Sequence, residues 1–147
     1  MREIFLVVIG TAGGVIVSAL GGWDLALQTL LIFMLIDYAA GLIAAGVFKK
    51  SKKSANGALE SHAGFKGIIK KCMIMLFVIM GHQLDNVIGW DFVRYAVIIA
   101  FLANEAISII ENAGLMGVYI PPVLRQAIDI LRKKEDADAE DDKKTKP

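Results

Sequence analysis

The sequence predicts an all-α, polytopic transmembrane bundle of four spans, with both termini in the cytoplasm, an amphipathic helix after the last span and a charged tail. Three observations carry this. Hydrophobic residues make up 56% of the 147, mean hydropathy is +0.57, and the apolar residues fall in blocks too long for ordinary strands. Charge is segregated: 16 Lys and Arg nearly cancel 15 Asp and Glu, yet the basic residues cluster in one loop and after the last block. Small residues recur at helical spacing inside the blocks, as helices that pack in lipid require. The balanced total points to neither a nucleic-acid nor an acidic-substrate partner. The single cysteine, Cys72, excludes an intramolecular disulfide and fits no Cys-rich zinc site.

Ile4–Leu20 is the first span. Its basic start and small-residue end also resemble a secretory signal peptide. The unbroken every-fourth-residue ladder Gly10, Gly14, Ser18 and Gly22 favours a retained span, because a disposable signal needs no packing face. Gly13-Gly14 with Gly10 follows no strand, so a dinucleotide-loop reading fails. Gly21-Gly22-Trp23-Asp24 is a tight turn with Trp23 suited to the interface.

Leu25–Phe48 is the second and clearest span, 24 residues with Asp37 as its one charge, or roughly 36 Å as a helix. Ala40, Gly41, Ala44 and Ala45 follow Asp37 on its own face, so the acid shares a packing surface of small side chains. Residues 49–67 form a polar loop rich in Lys, Ser, Gly and Ala, without apolar periodicity. Ile68–Leu84 is the third span, with Lys70 and Lys71 one turn inside its start and expected to snorkel outward. A short turn, Asp85–Asp91, leads into the fourth span, Phe92–Ala113, 22 residues and about 33 Å long. The transmembrane domain is thus 1–113. Pro121-Pro122 opens a segment in which Leu124, Ala127, Ile128 and Leu131 repeat at helical spacing, so 114–134 is expected to hold an interfacial or docking helix. Residues 135–147, acidic and then basic, are expected to be disordered.

Orientation follows from the lysines. The region from Lys49 to Lys71 carries seven Lys (Lys49, Lys50, Lys52, Lys53, Lys66, Lys70 and Lys71) against one Glu. The other two loops hold Asp24, Asp85 and Asp91 and no Lys. Arg2 at the start, and Arg125, Arg132, Lys133 and Lys134 after the last span, fall on the same side as the basic loop. The positive-inside rule then puts both termini in the cytoplasm, with these basic residues facing the inner lipid surface.

In the fourth span Asn104, Glu105, Ser108, Glu111 and Asn112 form a polar stripe. Counted from the outer ends, Asp37 is the 13th residue of its helix and Glu105 the 14th, which sets the two acids at nearly one depth. Two readings stay open. The stripe is interhelical glue, worth about 1 kcal/mol per contact, or it faces water when a pore opens, since acids inside a membrane are functional by default. His82, Asp85 and Arg94 gather at the outer end as an interfacial ion pair, with too few ligands for a metal. His62 has no second His or Cys nearby. Ser51, Ser54 and Ser61 lack a base and orienting acid, and no Walker sequence or HExxH occurs, so the chain reads as a non-enzyme without cofactor.

From Asp37 to Lys134 the sequence resembles the phage-lysis and toxin-secretion holin family. The resemblance is carried by DYAAGLIAAGVFKK, the Ser/Lys-rich loop leading to GFKGIIKK, the Asp85 that ends the third span, and above all NEAISIIENAGLMGVYIPPVL. It implies a small bacterial or prophage cytoplasmic-membrane protein that associates with itself and with lipid. Late in infection such a protein breaches the membrane and passes an endolysin or a toxin as cargo. The candidates it marks are Asp37, Gly41, Lys71, Asp85, Asn104, Glu105, Ser108, Glu111, Asn112 and Pro121. Some holins have an inhibitor made from a nearby second start; here the next methionine is Met34, inside the second span, so no such start is visible. The residues alone leave two other readings: a small proton-coupled exporter of cations built on mid-membrane carboxylates, and an adaptor anchoring a partner through its tail.

Overall fold

A computed structural model describes residues 1–50, 61–130 and 133. Among them the chain forms α1 (Arg2–Ala19), α2 (Leu25–Gly46), α3 (Ser61–Ile88) and α4 (Val93–Leu115), then a short helix, α5, over 122–130, and no strand. By length and composition α1, α2 and α4 can each cross a membrane. The expectations for Lys52, Lys53, Arg132, Lys134 and the 135–147 tail fall outside the described residues.

The helix ends are set by local chemistry. α1 closes in a Schellman motif, in which Gly21 N–H bonds to Ser18 O at 3.0 Å and Gly22 N–H to Val17 O at 2.9 Å. Gly21 sits at φ +83° against Arg94, where a Cβ would lie 2.7 Å from Arg94 Nε, so this corner requires glycine twice over. Asp24 caps α2, its carboxylate accepting from Leu27 N–H at 2.9 Å. Hydroxyls inside the apolar helices turn back on their own backbone: Thr11 donates to Val7 O at 2.8 Å and Thr29 to Leu25 O at 2.7 Å. Phe92 precedes α4 at the N-cap position, and its side chain makes no cap hydrogen bond. The first N–H groups of α4 are capped from the neighbouring helix instead. Asp85 on α3 accepts from Val93 N–H and Arg94 N–H, each at 2.9 Å. Pro122 occupies the first position of α5, where a missing N–H costs nothing.

α4 is the central helix and packs on both α2 and α3, whereas α2 and α3 meet each other sparingly. The core, from Leu20 through Leu27, Leu30 and Met34 to Ile74, Val78 and Ile98, runs through the half of the bundle beside the α1–α2 and α3–α4 corners. There Gly81 lets α3 approach the α4 backbone so closely that a Cβ would stand 3.0 Å from Arg94 Cα. α1 buries none of its residues and touches α3 only lightly.

Two boundaries need correction. Residues 85–88, read as the start of the short turn, continue α3 to Ile88. Residues 61–67, read as part of the polar loop, form the first two turns of α3. The reason is tertiary: the Tyr38 ring of α2 lies against this segment, 3.6 Å from where a Cβ of Gly67 would be, with its hydroxyl equally close to Gly64. Small residues that look like loop formers are here what allows a helix to dock, and packing overrides their low propensity.

Candidate functional site

The polar residues inside the bundle converge on one side chain that the sequence reading placed elsewhere. Lys71 Nζ of α3 donates to Asp37 Oδ2 of α2 at 2.9 Å and also pairs with Glu105 Oε2 of α4. Asn112, two turns beyond Glu105 on α4, donates from Nδ2 to Asp37 Oδ1 at 3.2 Å. The Asp37 and Glu105 side chains are 6% and 5% exposed and Lys71 is 16% exposed, so the ammonium joins three helices at a nearly dry point. Lys71 therefore does not extend outward like a snorkelling lysine. Two carboxylates within its reach stabilise the ammonium more than an interface would. Lys70 beside it remains exposed.

Small residues make this convergence geometrically feasible. Ala44 and Ala45 are buried, and Gly41 stands close enough to α4 that its Cβ would meet Asn112 Nδ2 at 3.7 Å; Ala40 is half-buried on the same side. The polar stripe of α4 divides by direction. Glu105 and Asn112 are buried, Ser108 is half-buried, and Asn104 and Glu111 are exposed. Asn104, Ser108 and Glu111 instead line a half-open cleft of about 570 Å³. Its walls are Tyr38 and Gly41 of α2, Gly67 and Phe77 of α3 and Phe101 of α4, with Lys71, Asp37 and Glu105 also lining it. No buried side-chain nitrogen or oxygen among the described residues lacks a hydrogen-bond partner. Removing Lys71 takes from both buried acids the ammonium they share, and breaking a buried pair in this way costs about 3–5 kcal/mol.

A second polar cluster secures the other end. The expected ion pair among His82, Asp85 and Arg94 is not formed. Arg94 is 4% exposed and its guanidinium reaches across to the α1–α2 turn, donating to Leu20 O, to Asp24 Oδ2 at 2.6 Å and to Gly22 O at 3.4 Å. Tyr95 adds its hydroxyl to Asp24 Oδ2 at 3.2 Å. The Arg94 hydrogen bond holds the Asp24 carboxyl below its ordinary value of 3.8, against the opposing effect of partial burial. Asp85 is occupied as the α4 cap, and His82 Nε2 lies 3.2 Å from Asn86 Nδ2. The acid that Arg94 takes is thus in the preceding turn, which spacing along α3 and α4 does not reveal.

Among the described residues the ladder Gly10, Gly14, Ser18 and Gly22 is not closely packed: a methyl group added at any of its three glycines meets nothing within 4 Å, and α1 touches only α3, lightly. Lys49, Lys50 and Lys133 are exposed. Among the described residues no three His, Cys, Asp or Glu side chains converge as metal ligands would.

Apolar helices able to cross a membrane, with their buried charges engaged in joining one helix to another, define the class: a small helical membrane protein. The comparisons give its family. The chain matches the model of the bacteriophage holin family over residues 14–133, and it belongs to that family, whose members permeabilise membranes and are not enzymes. It is 41% identical over 121 residues to an uncharacterized protein of Listeria monocytogenes, covering 82% of this chain and 81% of that one. It is 37% identical over 118 residues to an uncharacterized 14.9 kDa protein of Clostridium perfringens (78% and 83%). It is 29% identical over 117 residues to the probable holin of Bacillus phage phi105 (79% and 81%). No solved structure matches the chain.

Proposed function

We propose that this chain acts as a holin of the bacterial cytoplasmic membrane. It crosses that membrane four times with both termini inside, accumulates, associates with further copies of itself, and opens lesions through which a cell-wall hydrolase or a toxin leaves. Family membership and the phage relative support the holin role. The observation that carries the mechanism is the placement of two buried carboxylates, Asp37 and Glu105, mid-way along apolar helices, where acids are costly and functional by default. In a single chain these acids are held by Lys71. When copies crowd, the exposed α1 and the polar edge Asn104, Ser108 and Glu111 are surfaces left for neighbours, and mass action favours large assemblies. The exporter reading has less support, since the carboxylates that would exchange a proton for a cation are both already engaged by an ammonium.

The test is inducible expression in a bacterium together with a cytoplasmic endolysin, followed with a membrane-potential dye. The expected result is a lag, an abrupt loss of potential, and appearance of the hydrolase outside the membrane. Heavy accumulation with potential and growth intact would remove the holin reading. Tolerance to a cationic dye, gained on expression, would favour the exporter.

A further inference from the structure

α4 runs for 23 residues from Val93 to Leu115, roughly 35 Å as a helix. That exhausts the ~30 Å of hydrocarbon in a bilayer, so α4 ends at the level of the headgroups. It stops there in a Schellman motif. Gly117, at φ +78°, donates to Gly114 O at 3.1 Å, and Val118 N–H donates to Ala113 O at 3.0 Å. The chain then stays beside the helix it has left, because Ile120 Cδ1 lies 3.9 Å from where a Cβ of Gly114 would be. Leu124 N–H donates to Pro121 O at 3.0 Å in the first turn of α5, whose start at residue 122 is close in sequence to the end of α4.

At about 3.6 residues per turn, α5 divides into two sides. Val123, Leu124, Ala127, Ile128 and Ile130 occupy one, and Arg125, Gln126 and Asp129 the other. The apolar side is not turned into the bundle. Val123, Leu124 and Ile130 are 73%, 52% and 67% exposed, and on that side only Ile128 is half-buried. At headgroup depth this arrangement lets a helix lie flat, with its apolar side in the acyl boundary and its polar side in water. Tyr119, exposed in the connection, has the apolar ring and polar tip that suit the same level. The polar side carries one Arg against one Asp, so apolar contact provides the attachment, and a strongly charged soluble partner finds no complementary field there.

We propose that α5 lies in the membrane surface at the end of α4, with Val123, Leu124 and Ile130 seated in the acyl boundary, and that its partner is the lipid of the membrane the chain crosses. The inference rests on the reading above that α4 spans that membrane, whose orientation makes this surface the inner one. It adds to the spans an element that holds the chain in the plane of one leaflet.

The test places the full chain, in a Cys72→Ser background, as single copies in bilayer discs of phosphatidylethanolamine and phosphatidylglycerol. Nitroxide labels are attached in turn at Val123→Cys, Leu124→Cys, Ile130→Cys, Arg125→Cys and Asp129→Cys, all exposed positions. Accessibility to oxygen, which concentrates in lipid, is compared with accessibility to a water-soluble nickel chelate. The oxygen-to-nickel ratio is expected to be several-fold higher at the first three positions than at Arg125 and Asp129. A ratio as low on the apolar side as on the polar side means that the helix stands in water, and overturns the proposal. Protection of Val123, Leu124 and Ile130 from both reagents overturns it as well, because a protein surface, a second copy included, then covers that side. Leu35→Cys, at a position 68% exposed on α2, separates this outcome from the reading beneath it. A lipid-like Leu35 beside a water-like α5 removes the surface helix alone, whereas a water-like Leu35 removes the membrane-spanning reading itself.

Discussion

At the scale of single residues, the informative difference is Lys71. Its sequence position suggested a lysine near a helix start, with a long stem and water within reach. Counting inward from Leu84, however, it is the 14th residue of its span, the same depth that links Asp37 and Glu105. That signal was present, but depth does not say which way a side chain points, and only the packing of α3 on α4 turns Lys71 inward. Asp24 shows the same limit, because its partner Arg94 is 70 residues away in sequence. Its carboxyl pKa is depressed in the folded chain, so its contribution to stability is present above the ordinary value and is lost as pH falls through the folded one. Unfolding in detergent micelles should therefore become easier in acid, below about pH 4. Asp24→Asn should flatten that acid limb while lowering stability at neutral pH; an acid limb unchanged in the variant would show that Asp24 is not its source.

At the scale of elements, the small residues do two different things. In α3, Gly81 is a contact point: an alanine there presses on the Arg94 backbone and on Val97, and overpacking of this kind costs about 1–3 kcal/mol. In α1, Gly10 faces open space, and Gly10→Ala gains up to about 1 kcal/mol of helix propensity. Thermal unfolding in micelles should rank Gly81→Ala below the wild type and Gly10→Ala level with it or above, and equal midpoints for the two variants would contradict the packing described here. The spacing of α1 suggests a packing face but carries no information on whether a partner lies within the chain. The start of α3 was misread for the related reason that Gly64 and Gly67 look like loop residues until Tyr38 is placed against them.

At the scale of the whole molecule, the distribution of lysines makes a prediction about topology. A reporter that functions only in the cytoplasm should be active when fused after Pro147. One that functions only outside it should be active when inserted after Gly89, in the turn between α3 and α4. The reverse pattern, or activity of the external reporter at both positions, would end the four-span reading. Among the described residues the buried polar side chains are satisfied within the chain, while α1 is exposed and a cleft opens beside Asp37 and Glu105.

The helical class, the apolar blocks and the polar residues within them follow from the sequence alone, because hydrophobic runs and helical spacing are local properties that need no knowledge of neighbours. The tertiary structure decided the partners. It brought Lys71 to two acids, Arg94 to the α1–α2 turn and Asp85 to the cap of α4, and left α1 exposed with only a light contact to α3. These depend on which faces of three helices meet, and a charged group buried in apolar surroundings takes whichever opposite charge or backbone N–H the packing brings within about 3 Å.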